Sequence, residues 1–257
     1  MRAIWTGAIG FGLVSIPVKL YSAVQASELE LEMLDKNDLA NIKFHRVNAI
    51  TGMQVASEDI VKGYKIDDRY VVLDDEDFEN VSPEKTKVIE IAEFVDESEI
   101  DSIYYETPYY LQPEKAGVKP YSLLRDALKK TGKAGIGTYV LRNRESLVLL
   151  KAVDDLLVLN KIRFREEIRD MDDIEVPNVR IKLAEMNMAV QLIDQLTTNF
   201  DIARYKDTYN DKLMKLIMSK AKGKKTTEPK MEVVHSRSLD LMEQLKESLD
   251  SSKRKAS

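Results

Sequence analysis

The feature that most constrains this chain is a series of short apolar runs between residues 1 and 159, several of which alternate at period two. In "LVSIPVKLY", Val14, Ile16, Val18 and Leu20 fall on one face, and Ser15, Pro17, Lys19 and Tyr21 on the other. That is the pattern of a half-buried strand. Pro17 brings no N–H to a ladder, so the sequence predicts an edge or bulged strand there. "IKFHRVNAITGMQV" reads as a strand, a turn at Thr51–Gly52 and a returning strand. "RYVVL", "KTKVIEIAEFV", "SIYYETPYYLQP", "IGTYVLRN", "SLVLLKAV" and "LLVLNKIRF" are further β-rich runs. One helix interrupts them at "PYSLLRDALKKTG", with Leu123, Leu124, Ala127 and Leu128 as its stripe and Gly132 as its stop. Many short strands with few helices predict a closed or nearly closed barrel.

The pattern changes after "MDDIEVPN". From Val179, apolar residues recur at Leu183, Met186, Val190 and Ile193, with Leu192 and Leu196 widening the stripe. This is helical spacing. Asn199 or Asp201 can start a second helix, with a stripe of Tyr205, Tyr209, Leu213, Leu216 and Ile217. "SKAKGKKTTEPK" (219–230) reads as a basic linker with nothing to bury. In the segment after it, Leu239, Met242, Leu245 and Leu249 share one helical face. A short helix on a tether is marginal alone. It suits either docking to a partner or packing back on its own domain.

Three glycines in "GAIGFG" raise the question of a phosphate-cradling loop. Gly10 and Gly12 begin a G-x-G, but Ser15 stands where the third glycine is required, and a strand pattern follows where a helix is needed. The glycines therefore read as close backbone packing at a strand turn. In "LDDEDFENV", consecutive acids cannot all face one metal site on a helix or strand. A helix start capped by Asp74 or Asp75, with Phe78 turned inward, accounts for them better than a nuclease centre does.

The chain has no cysteine, and only His45 and His235. Disulfides, thiolate metal sites and a cysteine nucleophile are excluded, and the composition fits a reducing, cytoplasmic setting. No stretch of about 18 apolar residues is present. The net charge of −5 is unevenly spread. Residues 67–106 carry fifteen acids against three bases, and residues 115–151 carry nine bases against two acids. An acidic outer and a basic inner face are compatible with this, so the overall sign does not argue against a nucleic-acid partner. Arg142 and Arg144, two apart on a strand or its turn, form a guanidinium pair suited to phosphates. Other bases on predicted turns, among them Lys36, Lys43, Arg46, Lys62, Lys65 and Arg69, are interleaved with polar residues. That favours contact with a duplex backbone over single-strand stacking.

The segments "IWTGAIGFGLVSIPVKLYSA", "EDIVKGYKIDDRYVVLDDED", "VIEIAEFVDESEIDSIYYETPYYLQPEKAGVKPYSLLRDAL" and "MAVQLIDQLTTNFDIARYKDTYNDKLMKLI", in that order, resemble the prokaryotic Ku proteins of non-homologous end joining. "LDLMEQLKESL" also looks like that family's C-terminal segment. The resemblance implies an α+β, mostly β fold: a Ku-type β-barrel core over 1–178 and a bridge inserted at about 31–73. A helical dimerisation arm over 179–222 and a linker with a ligase-docking helix over 223–257 would follow. It further implies a homodimer whose two bridges close a ring around double-stranded DNA ends, and recruitment of DNA ligase D. No catalytic activity, cofactor or metal, and no membrane, is expected, and the location is cytoplasmic, nucleoid-associated when DNA is bound. On these positions the expected DNA contacts are Lys19, Lys43, Arg46, Lys62, Arg142 and Arg144. The expected dimer interface is Met186, Val190, Ile193, Leu196, Tyr205 and Leu213, and ligase docking falls to Leu239, Met242, Leu245 and Leu249. Two departures stand out. Many relatives carry a cysteine near Asn48, which this chain lacks, and only "KGKK" and "SKRKAS" remain of the Lys-rich tail found in some.

Overall fold

The computed structural model describes residues 1–81, 87–141, 144–223, 242–246 and 248. The chain divides into two compact units. One is Met1–Ala26 with Glu30–Asp170; the other is Ser27–Leu29 with the chain from Met171 onward.

In the first unit seven strands close a barrel: β1 (Trp5–Phe11), β2 (Val14–Ser22), β5 (Val88–Asp96), β6 (Tyr105–Pro113), β7 (Lys133–Leu141), β8 (Arg144–Val153) and β9 (Leu156–Ile162). Their order around the wall is β1-β2-β6-β9-β8-β7-β5. Between β2 and β5 the chain makes an excursion containing a two-stranded hairpin, β3 (Lys62–Ile66) and β4 (Arg69–Leu73), and a short helix, α1 (Asp75–Val81). Every pairing in the barrel is antiparallel except that of β1 with β5, which matches Ala8, Ile9 and Gly10 with Val88, Ile89 and Glu90.

The period-two reading of β2 holds in its centre: Ile16, Val18 and Leu20 are buried, while Val14, at the strand tip, is exposed. The glycines of "GAIGFG" serve the seam between β1 and β5. A Cβ on Gly7 would collide with the Lys87 carbonyl oxygen and the Trp5 indole, and one on Gly10 would lie 2.8 Å from Val88. Gly12, with φ of +55°, turns β1 into β2.

Pro17 does not mark an edge, because β2 is paired on both sides. Its register partner, Ala8, directs its N–H to the Lys87 carbonyl, away from β2. Backbone groups of directly opposed residues at such a position face away from each other. Pro17 therefore faces β6, just past the last paired residue of that strand. Its carbonyl accepts from the Glu114 N–H, and no donor is missed.

The single predicted helix of the barrel is α2 (Val118–Thr131), closed by Gly132 at φ of +65°. Its buried stripe is Tyr121, Leu124 and Leu128; Leu123 and Ala127 are exposed. Tyr121 is not in the predicted stripe, yet it is buried and its hydroxyl is satisfied inside. It accepts from the Leu157 N–H and donates to the Leu111 carbonyl, each at 2.7 Å. Leu111 and Leu157 are the last register pair of β6 and β9, so the hydroxyl sits at the end of that ladder. Burial raises the Tyr121 phenol above its ordinary pKa, against the lowering effects of the Leu157 hydrogen bond and of Arg125.

The residues between β5 and β6 run over the outside of β7, β8 and β9. Ile100 and Tyr104, with Tyr105 at the start of β6, cover Ala134, Leu149 and Ile162 there. The Glu97 N–H donates to Gly132 at one end of this strap, and the Arg163 N–H donates to Tyr104 at the other.

In the second unit, α3 (Leu183–Leu196) and α4 (Thr208–Ala221) are the main helices. The second helix starts later than Asn199 or Asp201. Asp207 caps it by accepting from Tyr209 and Asn210, while Asp201 caps only a single 3-10 turn. Tyr205 thus precedes α4 and does not belong to its stripe. The Asn210 side chain donates to the Ser27 carbonyl at 2.8 Å, which ties residues 27–29 to this unit.

Replacing Tyr121 with Phe removes the hydroxyl and leaves the Leu157 N–H and Leu111 carbonyl buried without it. Urea titration should show a loss of about 1–3 kcal/mol with an unchanged m-value.

Candidate nucleic-acid interface

β1 and β2 are antiparallel, and β5 runs parallel to β1 with Val88 beside Ala8. The C-terminal end of β2 and the N-terminal end of β5 therefore lie at the same end of the barrel. Residues 23–87 leave and return there. Following the antiparallel pairings round the wall places Leu141 and Arg144, the ends of β7 and β8, at this end too. α2, which joins β6 to β7, lies at the other end and adds its buried stripe to the main barrel core.

The excursion has almost no interior. Among residues 31–73 none is buried, and Phe44, Ile50, Tyr64 and Tyr70 are among the large side chains left open. The turn expected at Thr51–Gly52 is present, with Gly52 at φ of +69°. The expected flanking strands reduce to an isolated bridge of Val47 with Gln54; a second bridge, Leu34 with Asn41, lies ahead of them. The acids of "LDDEDFENV" are those of a helix start. Asp74 Oδ1 accepts from the Asp77 N–H and Asp77 Oδ2 from the Asp74 N–H, while Phe78 is half-buried under the Lys62 ammonium, 4.4 Å from its ring centre.

Lys43, Arg46 and Lys62 all lie exposed on the excursion. Lys19 lies on the outer wall of β2, with its ammonium 3.8 Å from Glu114. It borders a surface hollow of about 500 Å³ with Gln112, Pro113 and Lys115. The Arg144 backbone opens β8, its side chain is outside the described part, and Arg142 lies outside the described residues.

The bases of residues 115–151 and the acids of 67–106 are not held on separate faces throughout. Lys133 pairs with Asp96 at 2.8 Å and Lys151 with Glu97 at 2.6 Å, because β5 lies directly beside β7 and leads into the strap. The bases of the excursion are not set among polar residues alone either. Lys65 is the register partner of Tyr70, and Tyr64 lies between Lys62 and Lys65. Sequence reasoning passed over these tyrosines because exposure on both faces of a hairpin leaves no mark in a period-two pattern.

On α3, Met186, Val190, Ile193 and Leu196 are exposed, whereas Met188, Ala189 and Leu192 are half-buried. Tyr205 is exposed and Leu213 half-buried. Met242 and Leu245 lie in a short helical stretch, both half-buried; Leu239 and Leu249 lie outside the described residues. Among the described residues no helix is long and apolar enough to cross a membrane.

The seven strands close a barrel, and the family model described as "Ku70/Ku80 beta-barrel domain" matches residues 10–188. The chain belongs to the Ku family. Its similarity to bacterial members runs along nearly its whole length. It is 39% identical to the "Non-homologous end joining protein Ku" of Pseudomonas aeruginosa, over 97% of this chain and 88% of that protein. The proteins of the same description from Opitutus terrae and Bacillus subtilis are 39% and 36% identical, over 88% and 99% of this chain and 83% of each relative. These relatives are of the prokaryotic type.

Proposed function

We propose that this chain acts as a homodimer that threads onto broken double-stranded DNA ends without reading their sequence, and that it recruits DNA ligase D for non-homologous end joining. The observation that carries this reading is the excursion of residues 23–87. It leaves and returns at one barrel end and buries none of residues 31–73 in its own chain. So long a segment with no interior needs something outside the chain to enclose. Its bases Lys43, Arg46 and Lys62 suit phosphates, and Lys19, Arg142 and Arg144 extend the same chemistry to the barrel. The printed description of the relatives supports the same role.

A ring that contacts phosphates and sugars binds any sequence, and its affinity falls with salt through counterion release. Threading adds end selectivity through topology, since a closed circle offers no entry. Equal-length linear and relaxed circular duplexes should be separated in a retention assay: linear DNA is held, circular DNA is not, and retention falls steeply with added salt. Equal retention of both would sink threading.

The open apolar face of α3 supports the second subunit, since Met186, Val190 and Ile193 recur at helical spacing on its exposed side. Val190→Asp should convert the dimer to a particle of 29.4 kDa in light scattering. Because Val190 is exposed within the chain, the melting curve of each subunit should change by less than about 0.5 kcal/mol. An unchanged mass would remove this face from the interface.

Ligase recruitment is assigned to the segment bearing Leu239, Met242, Leu245 and Leu249. Deleting residues 231–257 should leave end binding intact and abolish the stimulation of ligation by DNA ligase D. Unchanged ligation would place the docking elsewhere.

A further inference from the structure

The exposed hairpin of β3 and β4 carries more than charge. On one of its faces stand Gly63, Lys65, Tyr70 and Val72, because Lys65 pairs with Tyr70 and Gly63 with Val72. Tyr70 is 71% exposed. Beside its ring there is bare backbone: a Cβ on Gly63 would lie 3.7 Å from Tyr70 Cδ1, and glycine supplies none. The ring thus borders a flat, uncrowded shelf with an ammonium group directly across the ladder. Carboxylates flank the hairpin at both ends, Asp67 and Asp68 at the turn and Asp59 and Asp74 at the root, so the attraction for an anionic strand on this face comes from Lys65.

Inside a duplex every base face is covered by the next pair, and at a blunt end only the terminal pair is open on one side. An unpaired base has a free face, and an aromatic platform next to a lysine is the arrangement that holds single-stranded nucleic acid irrespective of sequence. We propose that Tyr70, with Lys65, is a stacking site for the single-stranded overhang of a broken DNA end, so that the hairpin binds unpaired nucleotides as well as enclosing duplex. This rests on the end-binding reading above and extends it from the duplex to its unpaired tail.

The test compares binding of one duplex carrying a blunt end with the same duplex carrying a short thymidine overhang, by fluorescence anisotropy at fixed salt. The wild-type chain should bind the overhang duplex about five-fold or more tightly, the lower end of what one base on one ring contributes. Tyr70→Ala should bring the overhang duplex to the blunt-end affinity and leave blunt binding unchanged, whereas Tyr70→Phe should keep the preference. Photocrosslinking from 5-iododeoxyuridine in the overhang should label the peptide containing Tyr70. Equal wild-type affinities, a preference that survives in Tyr70→Ala, or labelling confined to other peptides would overturn the proposal. So would a change of oligomeric mass in Tyr70→Ala, which would show that a second copy of the chain covers the ring. Binding of the overhang duplex without any blunt-end binding would uphold this site and refute threading. Absence of binding to either duplex would refute both.

Discussion

The barrel depends on its parallel seam. β1 and β5 meet over Ala8, Ile9 and Gly10 against Val88, Ile89 and Glu90. The approach is close because Gly7 and Gly10 present no side chain to Lys87 and Val88. If this seam did not form, β5 would still pair with β7, but the sheet would be an open one with β1 and β5 as unprotected edges. Closure also decides where the excursion stands. It fixes β5 beside β1, and so brings the two stems of residues 23–87 to one end of the molecule. A run of glycines that resembled a ligand loop is thus a packing device whose effect reaches the segment expected to meet DNA.

Two polar devices complete the wall. The Tyr121 hydroxyl bridges the end of the β6–β9 ladder, from the Leu157 N–H to the Leu111 carbonyl, so a helix and two strands share one satisfied group. The strap between β5 and β6 is held at both ends by backbone hydrogen bonds and flanked by the Asp96–Lys133 and Glu97–Lys151 pairs. These pairs are partly exposed, so each contributes little to stability. They also offset the charge of two bases on the barrel wall.

Much of this architecture was legible in the sequence, and the exceptions have physical causes. Alternation marked Ile16, Val18 and Leu20 as core, and Gly132 marked the end of α2, because both signals are local. Pro17 misled because the direction of a strand's free backbone groups depends on register, which no single strand reveals. Leu123 was read as core and Tyr121 was not, because the partners that satisfy a buried hydroxyl lie 10 and 36 residues away. Asp201 was read as a helix start, yet only a single 3-10 turn follows it, and the long helix begins after Asp207. Of the candidate interface, the basic residues of the excursion were named from the sequence. The tyrosines among them were not, since two-sided exposure follows only from the absence of any covering layer.

The way the excursion is rooted also governs how the molecule bears load. In the proposed end-binding role, an excursion that encloses a filament is pulled whenever that filament slides or is pushed. Tension in residues 23–87 enters the barrel through the end of β2 and the start of β5, along the axes of those strands. Ladder hydrogen bonds lie across that direction, so they resist together in shear instead of parting one by one. β2 is gripped by β1 and β6, and β5 by β1 and β7. The excursion is therefore rooted in strands paired on both sides, so a pull along either strand is shared by two ladders.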